Sequence, residues 1–357
     1  MRLAALAAVL VAVYVAGLGL EPRAGDAYLR TASALVEDGE LLRGAWGVGF
    51  PLLIAPAQAL GGARAVELFL VALAALGFVC GALLARRIVP EPYASAGAAL
   101  AGLSAPAIVY AGEIGPEAVA GTLLAGAALC ASVVHDAPRP APAFGAAALL
   151  ALLPWLDPRY LVPAVPVAAA LYVFCRRGRR PTLGLIAVEL VGASVVLYAA
   201  LNERLYGGPT PWSALPDGVS ATGASSVAEY LERAPRLVTL WLDPGAGLLR
   251  WAPVFALVPF AAWLLRRSRW ERLARVVPQR AAAEAAAGLA LAVFAAVLLI
   301  AAFLYPSIAT EPFAARHLVP ALPVGAAGVA WGLRHAPRIG GGLGAITLVL
   351  SAALFIG

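Results

Sequence analysis

Lysine is missing from this 357-residue chain: every one of the 26 residues in its Lys+Arg count is arginine. Charge of either sign is scarce, at 13% of residues, about half the share usual in a soluble globule. Cysteine stops at three. Cys80, Cys130 and Cys175 each sit inside or at the end of an apolar run, with neither the spacing of a zinc site nor the even count of a disulfide framework, and read as small buried apolar side chains. There is no phosphate-binding Gly-Lys-Ser/Thr loop, no His-Glu-x-x-His pair and no serine elbow, which speaks against an enzyme of soluble nucleotides. The net charge of +6 does not point to nucleic acid either, because the arginines form no patch interleaved with aromatic platforms. No internal repeat, low-complexity tail or soluble domain stands out.

What the chain has in quantity is apolar sequence. Hydrophobic residues make up 62% of it and the mean hydropathy is +0.86, the composition of an all-α polytopic membrane protein. Leu3 to Leu20 reads as a retained signal-anchor helix with its N-terminus in the cytoplasm. Ten further runs follow, at about Arg64–Ala85, Pro92–Ala111, Gly115–Val134, Pro142–Leu156, Tyr160–Cys175, Pro181–Leu201, Leu248–Leu265, Ala283–Leu304, Leu318–Leu333 and Leu343–Ile356. That makes about eleven transmembrane helices in a single domain spanning 1–357. Two loops are long: 21–62, which carries juxtamembrane helices, and 202–242, which holds a short helix near Val227 to Arg233. Phe50 to Leu60, interrupted by Pro51 and Pro56, is too short to cross and is expected to lie at or dip into the membrane surface.

Arginine placement tests this topology, since cytoplasmic loops collect positive charge. Arg86, Arg87, Arg139, Arg176–Arg180, the run Arg266–Arg280, Arg334 and Arg338 all fall inside. Arg23, Arg30, Arg43, Arg204, Arg233 and Arg236 fall outside and count against it. The same topology gathers the polar candidates on the extracytoplasmic face, among them Glu21 and Glu311.

Asp26 opens a stretch in which Tyr28, Leu29, Ala32, Leu35 and Val36 recur at helical spacing while Arg30, Thr31, Ser33 and Glu37 take the other face, the pattern of a helix lying in the interface. A carboxylate at such a helix start is either an N-cap or a base held ionised by the helix dipole. Glu113 and Glu117 flank a tight turn, where each is a helix-start partner or a cavity-facing acid. Asp157, Arg159 and Tyr160 form another tight hairpin, with an Asp157–Arg159 ion pair as its simplest reading. Asp243 ends the long loop. Arg250 follows it into the next span, where it either snorkels to headgroups or meets an anion with its planar fork. Arg316 and His317 stand at the mouth of a later span. Glu189, inside an apolar run, is separated from all of these.

Taken in order, GDAYL at Gly25–Leu29, DGEL at Asp38–Leu41, GFPLLIAPAQALGG at Gly49–Gly62 and SAPAIVYAGEIGPE at Ser104–Glu117 resemble the bacterial integral-membrane glycosyltransferases of the GT-C superfamily. So do LLPWLDPRYL at Leu152–Leu161, LWLDPGAGLLRWAPV at Leu240–Val254 and ARHLVPALP at Ala315–Pro323. That group includes protein mannosyltransferases and aminoarabinose transferases. The resemblance implies a multi-pass protein of the plasma membrane, its active face extracytoplasmic, that takes a sugar from a polyprenyl-phosphate donor with the first-loop acid, here Asp26, as general base. Glu113 and Glu117 join it as catalytic candidates. Tyr28, Asp157, Arg159, Tyr160, Asp243, Arg250, Arg316 and His317 are the substrate-binding candidates, with Arg250 and Arg316 for the lipid phosphate. The acceptor would be an envelope glycan, lipid or protein, membrane lipids are partners and nucleic acid is not. No cofactor or metal is expected. The chain departs from the family in having Ala27 where a second acid often follows, Asp157 where histidine is usual, and no periplasmic domain after the last span. A carrier of lipid-linked sugars and a catalytically inactive scaffold are the rival readings; the crowding of charge on one face favours the enzyme over the carrier.

Overall fold

The computed structural model describes residues 3–20, 25–216, 219–245, 247–270, 278–307 and 315–356, so Glu21, Arg23, Glu311 and part of the run Arg266–Arg280 lie outside the described residues. The chain folds as a polytopic bundle of helices, with no strand among the described residues. In order these are α1 (Leu3–Ala16), α2 (Asp26–Glu37), α3 (Gly49–Arg86), α4 (Tyr93–Gly102), α5 (Ala105–Tyr110), α6 (Pro116–Asp136), α7 (Pro140–Leu156) and α8 (Leu161–Arg177). Then follow α9 (Pro181–Tyr206), α10 (Val227–Glu232), α11 (Arg236–Leu242), α12 (Leu248–Trp251), α13 (Leu257–Trp270), α14 (Pro278–Phe303), α15 (Leu322–His335) and α16 (Pro337–Ala353).

Each of the eleven expected runs is helical, but five stretches are long and apolar enough to cross a membrane by length and composition: Gly49–Arg86, Pro116–Asp136, Pro158–Arg177, Pro181–Ala214 and Arg280–Phe303, the first of them kinked at Gly61 and Gly62. The others are shorter or divided. Pro92–Ala111 splits at Leu103 and Ser104 into α4 and α5, and Leu248–Leu265 is broken by a 3₁₀ turn at Pro253–Ala256.

The Phe50–Leu60 piece is a helix of its own, and neither proline ends it. Pro51 lies in the first turn, where an amide proton would have no helical partner anyway, and Pro56 is accommodated within the helix. What ends it is the pair Gly61 and Gly62, the latter at φ 63° and ψ −157°, a conformation open only to glycine. This short helix packs on α2: Phe50 meets Tyr28 edge to face at 4.9 Å, and Gln58 Nε2 donates to Ser33 Oγ at 2.9 Å. The faces of α2 differ from the periodicity in one respect. Thr31 is buried and Val36 exposed, because the Thr31 hydroxyl is satisfied inside by donating to the Ala27 carbonyl and accepting from Trp46 Nε1.

The core is built on close approach rather than large side chains. Where α3 and α4 meet α15, small residues let backbones touch: a Cβ on Gly81 would fall 2.2 Å from the Pro323 carbonyl oxygen, and one on Gly97 only 2.6 Å from Ala330. Thr122 binds α6 to α3 by donating to the Leu73 carbonyl at 2.7 Å. By contrast α9 sits at the periphery, with Leu185, Ile186, Leu190, Val196 and Leu197 exposed, and Glu189 exposed beside them.

Candidate functional site

One end of the bundle collects the starts of α2, α6, α8 and α15 and the end of α14. Arg316 is the centre of this end. It follows Ala315, whose φ of 69° is left-handed and costs a non-glycine residue about 1 kcal/mol or more. The reversal sends the guanidinium to the start of α6, where Nη2 lies 3.1 Å from Glu113 Oε1 and Nε donates to Glu117 Oε1 at 3.0 Å. All three side chains are only 11–13% exposed, so the pair of glutamates and their arginine act in a medium where charge is poorly screened. Glu117, in the first turn of its helix as expected, is therefore an ion-pair partner as well as a dipole partner.

A second pair stands beside the first. Asp157 Oδ1 accepts from the Arg159 backbone amide at 2.8 Å, capping the 3₁₀ turn Pro158–Tyr160, and from Arg159 Nε at 3.0 Å. The expected ion pair forms, but with side chains 14–15% exposed it is no surface pair. The Arg159 guanidinium lies on the ring of Tyr305 at 4.1 Å, and Tyr305 stacks in turn on His317 at 3.8 Å. Burial, reinforced by the Arg316 and Arg159 charges, lowers the His317 ring to about 3, so it is neutral and its Nε2 donates to the Ser307 carbonyl at 3.2 Å. Its Nδ1 is then a buried acceptor without a partner among the described residues. Tyr160 is fully buried; its hydroxyl lies beside Tyr305 without a well-formed hydrogen bond.

Tyr28 joins the cluster from α2. Burial and the nearby carboxylates of Glu117 and Asp157 push its hydroxyl upward, against the opposing pull of Arg316, so Tyr28 remains protonated and can serve as a hydrogen-bonding group but not as a base. It also walls a cavity of about 60 Å³ with Trp46, Trp155, Asp157, Tyr198 and Trp212.

Asp26 is placed by its neighbour. Gly25 takes φ 112° and packs so closely that a Cβ would stand 2.2 Å from the Ile114 carbonyl oxygen, in the turn between Glu113 and Glu117. The cap position belongs to Gly25, and Asp26 is the first helical residue. Asp26 is exposed.

Two candidates stand apart. Asp243 accepts from the Gly245 amide at 2.7 Å within its own turn, and the exposed Arg250 lies over its neighbour Trp251 at 5.1 Å. Tyr305, wedged between Arg159 and His317, was not visible from sequence patterning; its one signal is an aromatic followed by proline at the end of an apolar run. No group of three or more His, Cys, Asp or Glu forms a metal site among the described residues.

No family model and no curated protein sequence matches the chain. Solved structures do. Its fold is similar to that of ArnT from Cupriavidus metallidurans bound to undecaprenyl phosphate, at a TM-score of 0.65 and 15% identity over 98% of this chain and 63% of that one. The apo state of the same protein gives 0.62 and 16% over 95% and 61%. The Archaeoglobus fulgidus oligosaccharyltransferase complex with Zn and sulfate gives 0.52 and 12% over 98% and 53%. The chain thus spans less than two thirds of the length of each of these neighbours. Together with the apolar helices, the likeness shows that this chain is a polytopic membrane protein with the fold shared by these neighbours.

Proposed function

We propose that the chain is a GT-C-type glycosyltransferase that moves a sugar from a polyprenyl-phosphate donor to an acceptor hydroxyl on the extracytoplasmic face of the membrane, with Asp26 as general base. The observation that supports this reading is the seating of Gly25 on Ile114, which brings the chain next to Asp26 onto the turn between Glu113 and Glu117. Two features support a lipid-linked donor: the fold, and the neighbour that holds undecaprenyl phosphate at the same chain coverage.

In the reaction, the acceptor oxygen bonds to the anomeric carbon while its proton passes to the Asp26 carboxylate. The bond from that carbon to the phosphate oxygen breaks, and its electron pair leaves with the lipid phosphate. The charge gained there calls for a guanidinium, the part assigned to Arg316 and Arg250. Arg316 arrives oriented by two glutamates, so Glu113 and Glu117 act as positioning residues in this scheme. Arg250, exposed and apart from the cluster, is the second candidate for that part. The aromatic walls around Asp157 suit the C–H faces of a sugar ring, with the carboxylate for its hydroxyls.

The test is donor turnover by the purified full chain with radiolabelled polyprenyl-phosphate sugars and a panel of acceptors. Turnover also separates an enzyme from a carrier. Asp26→Asn is nearly isosteric and is expected to fold, remain monodisperse and lose at least about a hundredfold in rate. Asp38→Asn, beyond the end of α2, should stay active. Parental turnover by the Asp26→Asn protein would remove Asp26 from the mechanism.

A further inference from the structure

Glu189 is the one charged residue in the apolar stretch 183–201 of α9. That stretch is about 27 Å long at about 1.5 Å per residue, close to the hydrocarbon thickness of a bilayer at about 30 Å, and Glu189 stands about 9 Å inside it. α9 is also the least covered of the five candidate spans: 22% of its apolar window is buried, against 39–72% for the other four. Its inner face packs on two neighbours, Gly184 against Cys175 of α8 and Tyr198 against Trp155 of α7. Glu189 lies on the opposite face, where Leu185, Glu189, Gly192, Val196 and Ala200 follow one another at helical spacing, all exposed. It has no hydrogen bond or ion pair among the described residues.

A carboxylate facing hydrocarbon is costly, and ionisable groups inside membrane helices pair with a complementary group. The stem of a glutamate is too short to carry its carboxylate past the two turns that separate Glu189 from the start of α9, and lipid headgroups do not lie at this depth. A second copy is disfavoured as well: inserted with the same orientation, it would meet α9 with Glu189 opposite Glu189, a contact of like charges. The surface itself is shaped for a helix. Gly192, Ala193 and Ala200 are small and exposed, so another backbone can approach closely, and a Cβ on Gly192 would meet nothing within 4 Å. From this geometry we infer that the outer face of α9 is a docking surface for a transmembrane helix of another protein, one that carries an arginine or lysine at the depth of Glu189. This face points away from Tyr198 and the cavity that it walls, and the inference holds whether or not the chain transfers sugar.

The probes are two synthetic leucine–alanine helices of about 20 residues, identical except that one carries a single arginine at the depth of Glu189 and the other leucine. Each is reconstituted with the purified full chain in phosphatidylcholine vesicles, and association is read by energy transfer between dyes on peptide and chain. The arginine helix is expected to bind at least about tenfold more tightly than its leucine twin, a preference that the Glu189→Leu protein loses. Gly192→Leu places its side chain in space that this chain leaves open, so the protein should fold as the parent does and yet bind the arginine helix more weakly. Glu203→Gln, an exposed acid beyond the apolar stretch, should keep the parental preference. Equal binding of the two helices, an undiminished preference in Glu189→Leu, or parental binding by Gly192→Leu would overturn the assignment. So would Glu189-dependent energy transfer between two labelled copies without peptide, which would make a second copy the occupant.

Discussion

The two ends of this bundle use the same residue in opposite ways. At the end that gathers Arg316 and Arg159, arginines are fixed one by one. Arg316 and Arg159 are held by carboxylates, Arg233 donates to the Phe303 carbonyl at 2.7 Å, and Arg236 donates to the Tyr305 and Pro306 carbonyls at 2.9 and 3.1 Å. Arg43 reaches the Leu205 carbonyl at 3.4 Å, near the end of α9. At the other end most arginines, including Arg176, Arg177, Arg179 and Arg180, are exposed. The difference explains three of the arginines that count against the expected topology. Arg43, Arg233 and Arg236 are helix C-terminal partners, where the macrodipole is negative and carbonyls lack amide donors. A positive charge consumed in this way does not weigh on orientation as a free one does. The same contacts tie the long loop to the end of α14 and so hold Tyr305 between Arg159 and His317.

The comparison breaks most completely if the two ends are assigned to the wrong sides. A cysteine placed at Ser225 should be labelled by a membrane-impermeant maleimide in intact cells and one at Arg177 should not; the reverse pattern would put the acid cluster inside.

Among changes in stability, the largest is expected from Arg316→Met. Removing the cation leaves Glu113 and Glu117 close together and poorly solvated, at a loss of roughly 3 kcal/mol measured by unfolding in detergent. Arg316→Lys should lose less stability but weaken donor use, because a point charge lacks the fork. Next comes acidification. His317 titrates at about 3 in the folded chain instead of the ordinary 6.5. Between those values the unfolded chain binds a proton that the folded one does not, so stability falls as pH drops through the window. The loss should reach about 2 kcal/mol near about pH 5, and its His317 share should vanish in His317→Phe.

Smaller still is Arg233→Gln, which removes a charged hydrogen bond to a helix end and should cost about 1.5 kcal/mol. The smallest effect is expected for Arg176→Gln/Arg177→Gln, within about 0.5 kcal/mol. Equal costs at the two ends would mean that the contacts of Arg233 contribute nothing beyond surface charge.

Much of the architecture is legible without coordinates because it is local. A run of apolar residues must hydrogen-bond its own backbone in a bilayer, so it becomes a helix wherever it occurs. The sequence also exposed the tight turns that hold Glu113, Glu117, Asp157 and Arg159, since acids and arginines are conspicuous between apolar runs. Periodicity failed at Thr31, which reads as polar surface and is buried, because its two hydrogen-bond partners are invisible to a hydrophobicity pattern.

Pairing was decided by tertiary structure. Glu117 and Arg316 are 199 positions apart, and nothing local to either says that one will orient the other. The same holds for Tyr305, which becomes part of the cluster because Arg233 and Arg236 fasten the chain around it. Apolar periodicity fixes which segments are helices at a cost set residue by residue. Which charges meet depends on how those helices pack, and that is governed by the small-residue contacts of α3, α4, α6 and α15, where a single Cβ would separate the backbones.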